Sequence, residues 1–240
     1  MPAQSLTLKR CETIAQDTLA LHFDKPPGFA FKAGQCARLD LVEPPETDQE
    51  GNHRIFSLAS APYEEELVFA TRLRDSAFKR VLRGLKPGAE LELRGPYGDF
   101  TLPGKADTPV VLITGGIGVT PVRSMVRQAV HDRAGPVLTV FFANRRPEDA
   151  PFLEELSQSC SQYPRCTLVA TMTQMEKSAL DWQGERGHVD EAMLRRHLDD
   201  LQAPCYYIDG PPAMVGAMLA MLIGAGVDEA RIRLEEFAGY

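Results

Sequence analysis

The sequence predicts a two-domain protein, an antiparallel sheet or barrel followed by an α/β unit on a parallel sheet. Three observations carry this. Residues 6 to about 100 hold short alternating apolar runs split by Gly and Pro, the period-two signature of half-buried strands. From Val110 onwards, continuous apolar runs alternate with stretches of helical periodicity, as strands covered on both faces require. Between the two, Leu102-Pro103-Gly104-Lys105-Ala106-Asp107-Thr108-Pro109 reads as a linker, which puts the domains at 1–104 and 105–240.

In the first half, strands are expected over 19–23, 36–41 and 67–71. One helix interrupts them. Asp75 and Ser76 offer an N-terminal cap, Phe78, Val81, Leu82 and Leu85 fall at helical spacing, and Pro87-Gly88 stops the run. In the second half, strands are expected over 110–114, 137–143, 167–172, 206–208 and 231–234. Helices are expected near 122–133, 152–160, 191–198 and 213–225. There is no internal repeat and no low-complexity tract.

Composition narrows the function classes. The net charge of −7 repels phosphate backbones, which argues against nucleic-acid binding. No apolar run approaches the roughly 20 residues that span a bilayer. Met1-Pro2-Ala3-Gln4-Ser5 lacks the basic-then-apolar pattern of a signal peptide, so a cytoplasmic protein is expected. The five cysteines are odd in number and form no Cys-x-x-Cys. Separate reduced thiols are therefore expected, without a disulfide framework, zinc site, iron–sulfur cluster or other metal.

Three local motifs carry chemistry. In the first, strand 110–114 runs into Gly115-Gly116-Ile117-Gly118-Val119-Thr120-Pro121 and then a helix. Glycines let phosphate oxygens approach backbone N–H groups, the helix start adds partial positive charge, and Pro121 suits the first turn. In the second, His53-Arg54-Ile55-Phe56-Ser57-Leu58-Ala59-Ser60, alternation puts Arg54, Phe56 and Leu58 on one face and Ser57 on the other. The Arg can grip a phosphate, the aromatic can stack on a flat ring, and the Ser can bond a ring nitrogen. In the third, Arg94-Gly95-Pro96-Tyr97-Gly98-Asp99-Phe100 reads as a tight loop. Each motif alone is also consistent with an ordinary turn or amphipathic strand.

Together and in this order, the motifs resemble the ferredoxin–NADP reductase superfamily over nearly the whole chain. The first domain resembles its FAD-binding β-barrel, whose Arg-x-Tyr-Ser-x-x-Ser signature is matched from Arg54 to Ser60, with Phe56 in place of Tyr. The resemblance implies that Arg54 contacts the FAD pyrophosphate, Phe56 packs on the isoalloxazine and Ser57 bonds near N5, with Ile55 and Ser60 beside them. It makes Ser76 and the N–H groups of Ala77 and Phe78 a flavin phosphate site. The second domain resembles the family's NAD(P)-binding α/β domain. There Gly115, Gly116, Gly118, Thr120 and Pro121 correspond to the pyrophosphate loop. Asp209-Gly210-Pro211-Pro212-Ala213-Met214 resembles its Cys-Gly-Pro-x-x-Met motif, and Asp209 replaces the Cys beside the reacting nicotinamide carbon. A helix-cap role for Asp209 weighs equally. The ending Leu234-Glu235-Glu236-Phe237-Ala238-Gly239-Tyr240 resembles the family's Glu-x-aromatic terminus, giving Glu235 a place at the transfer site. Phe237, or alternatively Tyr240, would cover the flavin.

The resemblance implies an NAD(P)H-dependent flavoprotein reductase that passes electrons to a separate acceptor, such as a ferredoxin or oxygenase component. Ser57, Glu235 and Asp209 are its candidate catalytic residues. The alternatives are a flavin or quinone reductase using small acceptors, and a non-catalytic flavin electron-transfer subunit. Gln174 stands where NADPH-using members carry an Arg, and 182–189 resembles NADH-using oxygenase reductases. Asn144 and Arg145, followed by Arg146, offer positive charge in the other direction.

Overall fold

A computed structural model of the protein describes residues 3–104 and 108–236. The first six strands are β1 (Gln4–Ala15), β2 (Thr18–Asp24), β3 (Cys36–Leu41), β4 (His53–Ser57), β5 (Glu66–Arg72) and β6 (Glu90–Tyr97). They form one antiparallel sheet in the order β4-β3-β6-β1-β2-β5. Its two edges meet just past β4, where the Ala59 N–H donates to the Val68 carbonyl at 2.8 Å and closes a barrel. Alternation sorts the side chains: in β6, Leu91 and Leu93 are buried while Glu92 and Arg94 lie between them at the surface. β2 departs from the alternating pattern and is buried over six of its seven residues. The reason is tertiary, because Ala20, Val68 and Ala70 on the outer barrel face are covered by Ile117 and Phe152 of the second domain.

Helix α1 (Ala77–Gly84) follows β5, with the Ser76 side chain accepting from the Lys79 N–H at 3.3 Å and Phe78 and Leu82 buried. Asp75 does not share the cap but pairs with Arg80. The tight loop expected from Arg94 to Phe100 is corrected: Arg94 to Tyr97 complete β6, paired with β3. Gly95 is needed there for close strand approach, since a Cβ would lie 3.1 Å from that of Ala37.

Among the described residues, the strands and α-helices of the second domain number ten. They are β7 (Val110–Gly115), α2 (Val119–Asp132), β8 (Leu138–Asn144), α3 (Leu153–Ser161), β9 (Cys166–Met172), β10 (Glu185–Arg186), α4 (Glu191–His197), β11 (Cys205–Gly210), α5 (Pro212–Gly224) and β12 (Ile232–Glu236). The sheet is parallel in the order β10-β9-β8-β7-β11-β12. Leu112, Val140 and Phe142 pack one face against Val122, Met125 and Leu156. Ile113, Phe141 and Val169 pack the other against Met193 and Leu222. In this domain β10 lacks a forecast, because two residues display no period. The strand order reverses between β7 and β11, which opens a crevice at their carboxyl ends. Among the described residues no helix is long and apolar enough to cross a membrane.

Candidate functional site

Two cavities meet at the glycine turn. The first, about 400 Å³, lies where β4 and β5 end beside the start of α1, and Ile117 and Thr120 form its far wall. It takes Arg54, Ile55, Phe56 and Ser57 from β4 and Ser76 and Lys79 from the helix start. Phe56 rests against Phe78 and Phe69, with ring centroids 6.0 and 6.5 Å away, and Arg54 lies over the Phe78 ring. The walls are mainly cationic: Arg54, Arg72, Arg74 and Lys79 line them with two carboxylates, Glu50 and Asp75. The Lys79 ammonium has no ion-pair partner among the described residues. Burial, with Arg74 and Arg54 beside it, pulls its pKa down.

One carboxylate already sits at the head of this cavity. Asp48 accepts from the Ala77 N–H at the start of α1, at 3.1 Å, and from Arg54 at 3.2 Å. Arg54 also pairs with Glu50 at 2.7 Å. An anion is therefore held between a guanidinium and a helix N-terminus, which is the geometry a phosphate would use.

The second cavity, about 600 Å³, opens over the carboxyl ends of β7, β8 and β9. Gly115, Gly116, Asn144, Arg145, Pro211 and Met214 line it, and Arg72 is common to both cavities. Gly116 has φ of +56°, a conformation that favours glycine. At Gly118 the requirement is space, because a Cβ would lie 2.8 Å from Asp209 Oδ1. The Thr120 hydroxyl donates to the Ile117 carbonyl at 3.1 Å and Pro121 is buried in the first turn of α2. Arg146 is committed to Asp149, whereas the exposed Arg145 side chain has no ion-pair partner among the described residues.

Around the junction, polar atoms are buried without partners: Ser57 Oγ, Thr114 Oγ1, both Asn144 side-chain atoms, both Asp209 oxygens and Glu235 Oε2. Such atoms are rare in a closed fold and cluster where a ligand belongs. Asp209 and Glu235 are register neighbours on β11 and β12. Asp209 is fully buried, and burial, followed by Glu235, raises its pKa well above the usual carboxylate range. Glu235 is pushed up to about 7 by burial and then by Asp99. It shares with Ser57 and Cys36 a cleft of about 490 Å³ on the other face of β4. A protonated carboxyl there can donate as well as accept a hydrogen bond.

The sequence-read residues thus fall into three groups. Arg54, Ile55, Phe56, Ser57 and Ser76 share the first cavity, with the Ala77 N–H at its head. Gly115, Gly116, Asn144, Arg145, Pro211 and Met214 share the second. Others lie off the cavity walls. Ser60 Oγ is taken by the Val68 N–H, Phe78 is buried in the barrel core, and Gly118, Gly210 and Asp209 are buried beneath the turn. Phe237 and Tyr240 lie outside the described residues. Sequence reasoning missed Asp48, Arg72, Lys79 and Thr114. Lys79 carried a signal, since it stands three residues after the cap Ser76.

A closed barrel joined to a parallel sheet, with a glycine turn at the switch point feeding two cavities, defines a two-domain nucleotide-binding scaffold. Comparison with known proteins narrows this. The family profile for the oxidoreductase NAD-binding domain matches residues 112–219. Ferredoxin–NADP reductase B of Sorangium cellulosum is 31% identical over 227 residues, covering 90% of each chain. The glycine betaine monooxygenase reductase subunit of Chromohalobacter salexigens is 30% identical over 236 residues, and the chain spans 63% of its length. The crystal structure of the flavohem-like FAD/NAD-binding domain of nitric oxide dioxygenase from Vibrio cholerae superimposes with a TM-score of 0.81 at 20% identity, covering 98% of each chain. The chain belongs to the ferredoxin–NADP reductase family of FAD- and NAD(P)-binding oxidoreductases.

Proposed function

We propose that this chain is an NAD(P)H-dependent reductase that binds FAD in the barrel-side cavity and the nicotinamide nucleotide in the cavity over β7 to β9. The observation that carries it is the glycine turn, with Gly115 and Gly116 in one cavity and Ile117 and Thr120 in the other. The cationic cavity fits the flavin pyrophosphate. Lys79 has no ion-pair partner among the described residues, and Asp48 stands in for a phosphate between Arg54 and the Ala77 N–H. FAD, when bound, supplies an acceptor for hydride from the nicotinamide and a donor of electrons onwards.

The chain's own residues orient and exclude water. Phe56 offers an apolar ring to the flavin, and Ser57 offers a buried hydroxyl with no partner among the described residues. Gly115 and Gly116 present backbone to a pyrophosphate. Asp209 is buried with its carboxyl raised well above the usual range, and Glu235, raised to about 7, can take up or release a proton near the junction. Arg145 is the cation available to a 2′-phosphate, while Gln174 offers none. The domain boundary is placed at 104/105. The acceptor is a separate protein of the ferredoxin or oxygenase-component type, in keeping with the reductase components among the relatives.

The test is a visible spectrum of the purified protein, followed by NADH or NADPH without oxygen. Bound flavin that bleaches within seconds supports the reading, and the faster nucleotide gives the preference. Flavin that stays oxidised with both overturns the activity. A protein that never holds flavin overturns the assignment of the cavity.

A further inference from the structure

Away from the cavities, four charges close into a ring at the seam between the domains. Glu64 belongs to the barrel domain, Arg123 and Arg127 to α2, and Glu155 to α3. Each carboxylate bridges both guanidiniums. Arg123 reaches Glu64 at 3.1 Å and Glu155 at 2.7 Å, and Arg127 reaches Glu64 and Glu155 at 2.8 Å each. The side chain of Arg123 is 8% exposed and that of Glu64 16%. Arg123 grips Glu155 with two parallel bonds and also donates to the Ala59 carbonyl at 2.6 Å. The next residue, Ser124, donates to the Ser60 carbonyl at 2.6 Å. The Phe152 ring covers Arg123 at 5.0 Å, and Tyr63 lies beside Arg127 while stacking on His131 at 3.9 Å.

The ring joins two short lengths of chain. Ala59 and Ser60 directly follow the Arg54-to-Ser57 strand that lines the barrel-side cavity. Arg123 and Ser124 lie on the second turn of α2, just past the glycine turn that lines the other. The geometry points to Arg123 as a positioning residue, which together with Glu64, Arg127 and Glu155 fixes the glycine turn relative to the Arg54-to-Ser57 strand and so aligns the two bound rings. This rests on the reading under Proposed function.

Two physical arguments favour alignment over simple adhesion. Adhesion is already provided by apolar contact, since Ile117 and Phe152 cover Ala20, Ala59, Val68 and Ala70. Burying four charges adds little net stability even when all are paired, but it fixes direction, because a guanidinium fork donates to its partners in one plane. Direction matters for transfer between stacked rings, where a displacement of about 1 Å costs roughly a hundredfold in rate.

The experiment is Arg123→Gln in the full chain, loaded with FAD. The barrel's own walls of the flavin cavity, Arg54 to Ser57 with Ser76 and Lys79, are untouched, so flavin content is expected to stay close to that of the wild type. The rate constant for flavin bleaching by saturating NADH or NADPH is expected to fall about 10- to 100-fold. The long-wavelength charge-transfer absorbance of the nucleotide complex, which depends on ring overlap, is expected to weaken with it. Arg127→Gln, at the more exposed corner, leaves the Arg123 bonds in place. It is expected to give a smaller loss of the same kind, and it stands in if the first variant does not fold. Wild-type rate and absorbance in a variant that holds flavin would overturn the proposal, as would a rate that falls only in proportion to flavin lost. Wild-type flavin that neither nucleotide bleaches fails earlier, at the activity itself, and takes this proposal with it.

Discussion

Glu235 sets a measurable pH dependence on stability. Its carboxyl is pushed from 4.5 to about 7 by burial and by Asp99. At about 1.4 kcal/mol for each tenfold change in proton affinity, that rise corresponds to about 3 kcal/mol. The folded state holds the proton more tightly than the unfolded state. Below about pH 4 both states are protonated and the group contributes nothing. Between pH 4.5 and 7 the unfolded chain loses its proton first, so stability falls as pH rises. Above pH 7 the loss is complete. Glu235→Gln keeps the shape and removes the titration, so the variant should gain about 2–3 kcal/mol over wild type at pH 8 and nothing at pH 4. Urea unfolding of both proteins at pH 4, 6, 7 and 8 makes the measurement. If the two curves run parallel across that range, Glu235 ionises normally and the burial argument fails.

Further outcomes follow from the cavities. Lys79→Met removes the unpartnered cation and should weaken FAD binding about tenfold or more, read by flavin-fluorescence titration; unchanged affinity would take the phosphate away from that wall. Asp48→Asn removes the carboxylate that holds the anion position against the Ala77 N–H and Arg54. Its FAD affinity should rise, and a fall would mean that Asp48 organises the site instead of competing for it. Gly118→Ala drives a methyl to 2.8 Å from Asp209 Oδ1, so it should cost about 1–3 kcal/mol in thermal or urea unfolding. Arg145→Ala should lower kcat/KM for NADPH while leaving that for NADH unchanged, and equal losses for both would remove Arg145 from 2′-phosphate recognition.

Much of the fold was legible because its signals are local. Val110 to Ile113 is an unbroken apolar run between Pro109 and the glycine turn, and the strand runs from Val110 to Gly115. Phe78 and Leu82 share a helical face behind Ser76, and the helix starts at Ala77. Where locality misled, a partner strand was the cause. Gly95 and Pro96 read as a turn, yet close packing on Ala37 keeps them in β6.

By itself, the sequence determined the strand-to-helix order, the glycine turn and the Arg54-to-Ser57 strand. Each depends on spacing within a few residues, which backbone geometry converts directly into a face or a cap. Tertiary structure alone decided which charges meet. Asp209 and Glu235 are neighbours only because β11 and β12 pair in parallel, and their raised pKa values come from the burial this creates. Asp48 reaches the start of α1, and Glu64 reaches Arg123 and Arg127, across long stretches of chain. No periodicity encodes those distances. They are set when the barrel closes and the second domain packs against it, and an ionisable group takes its properties from that packed environment.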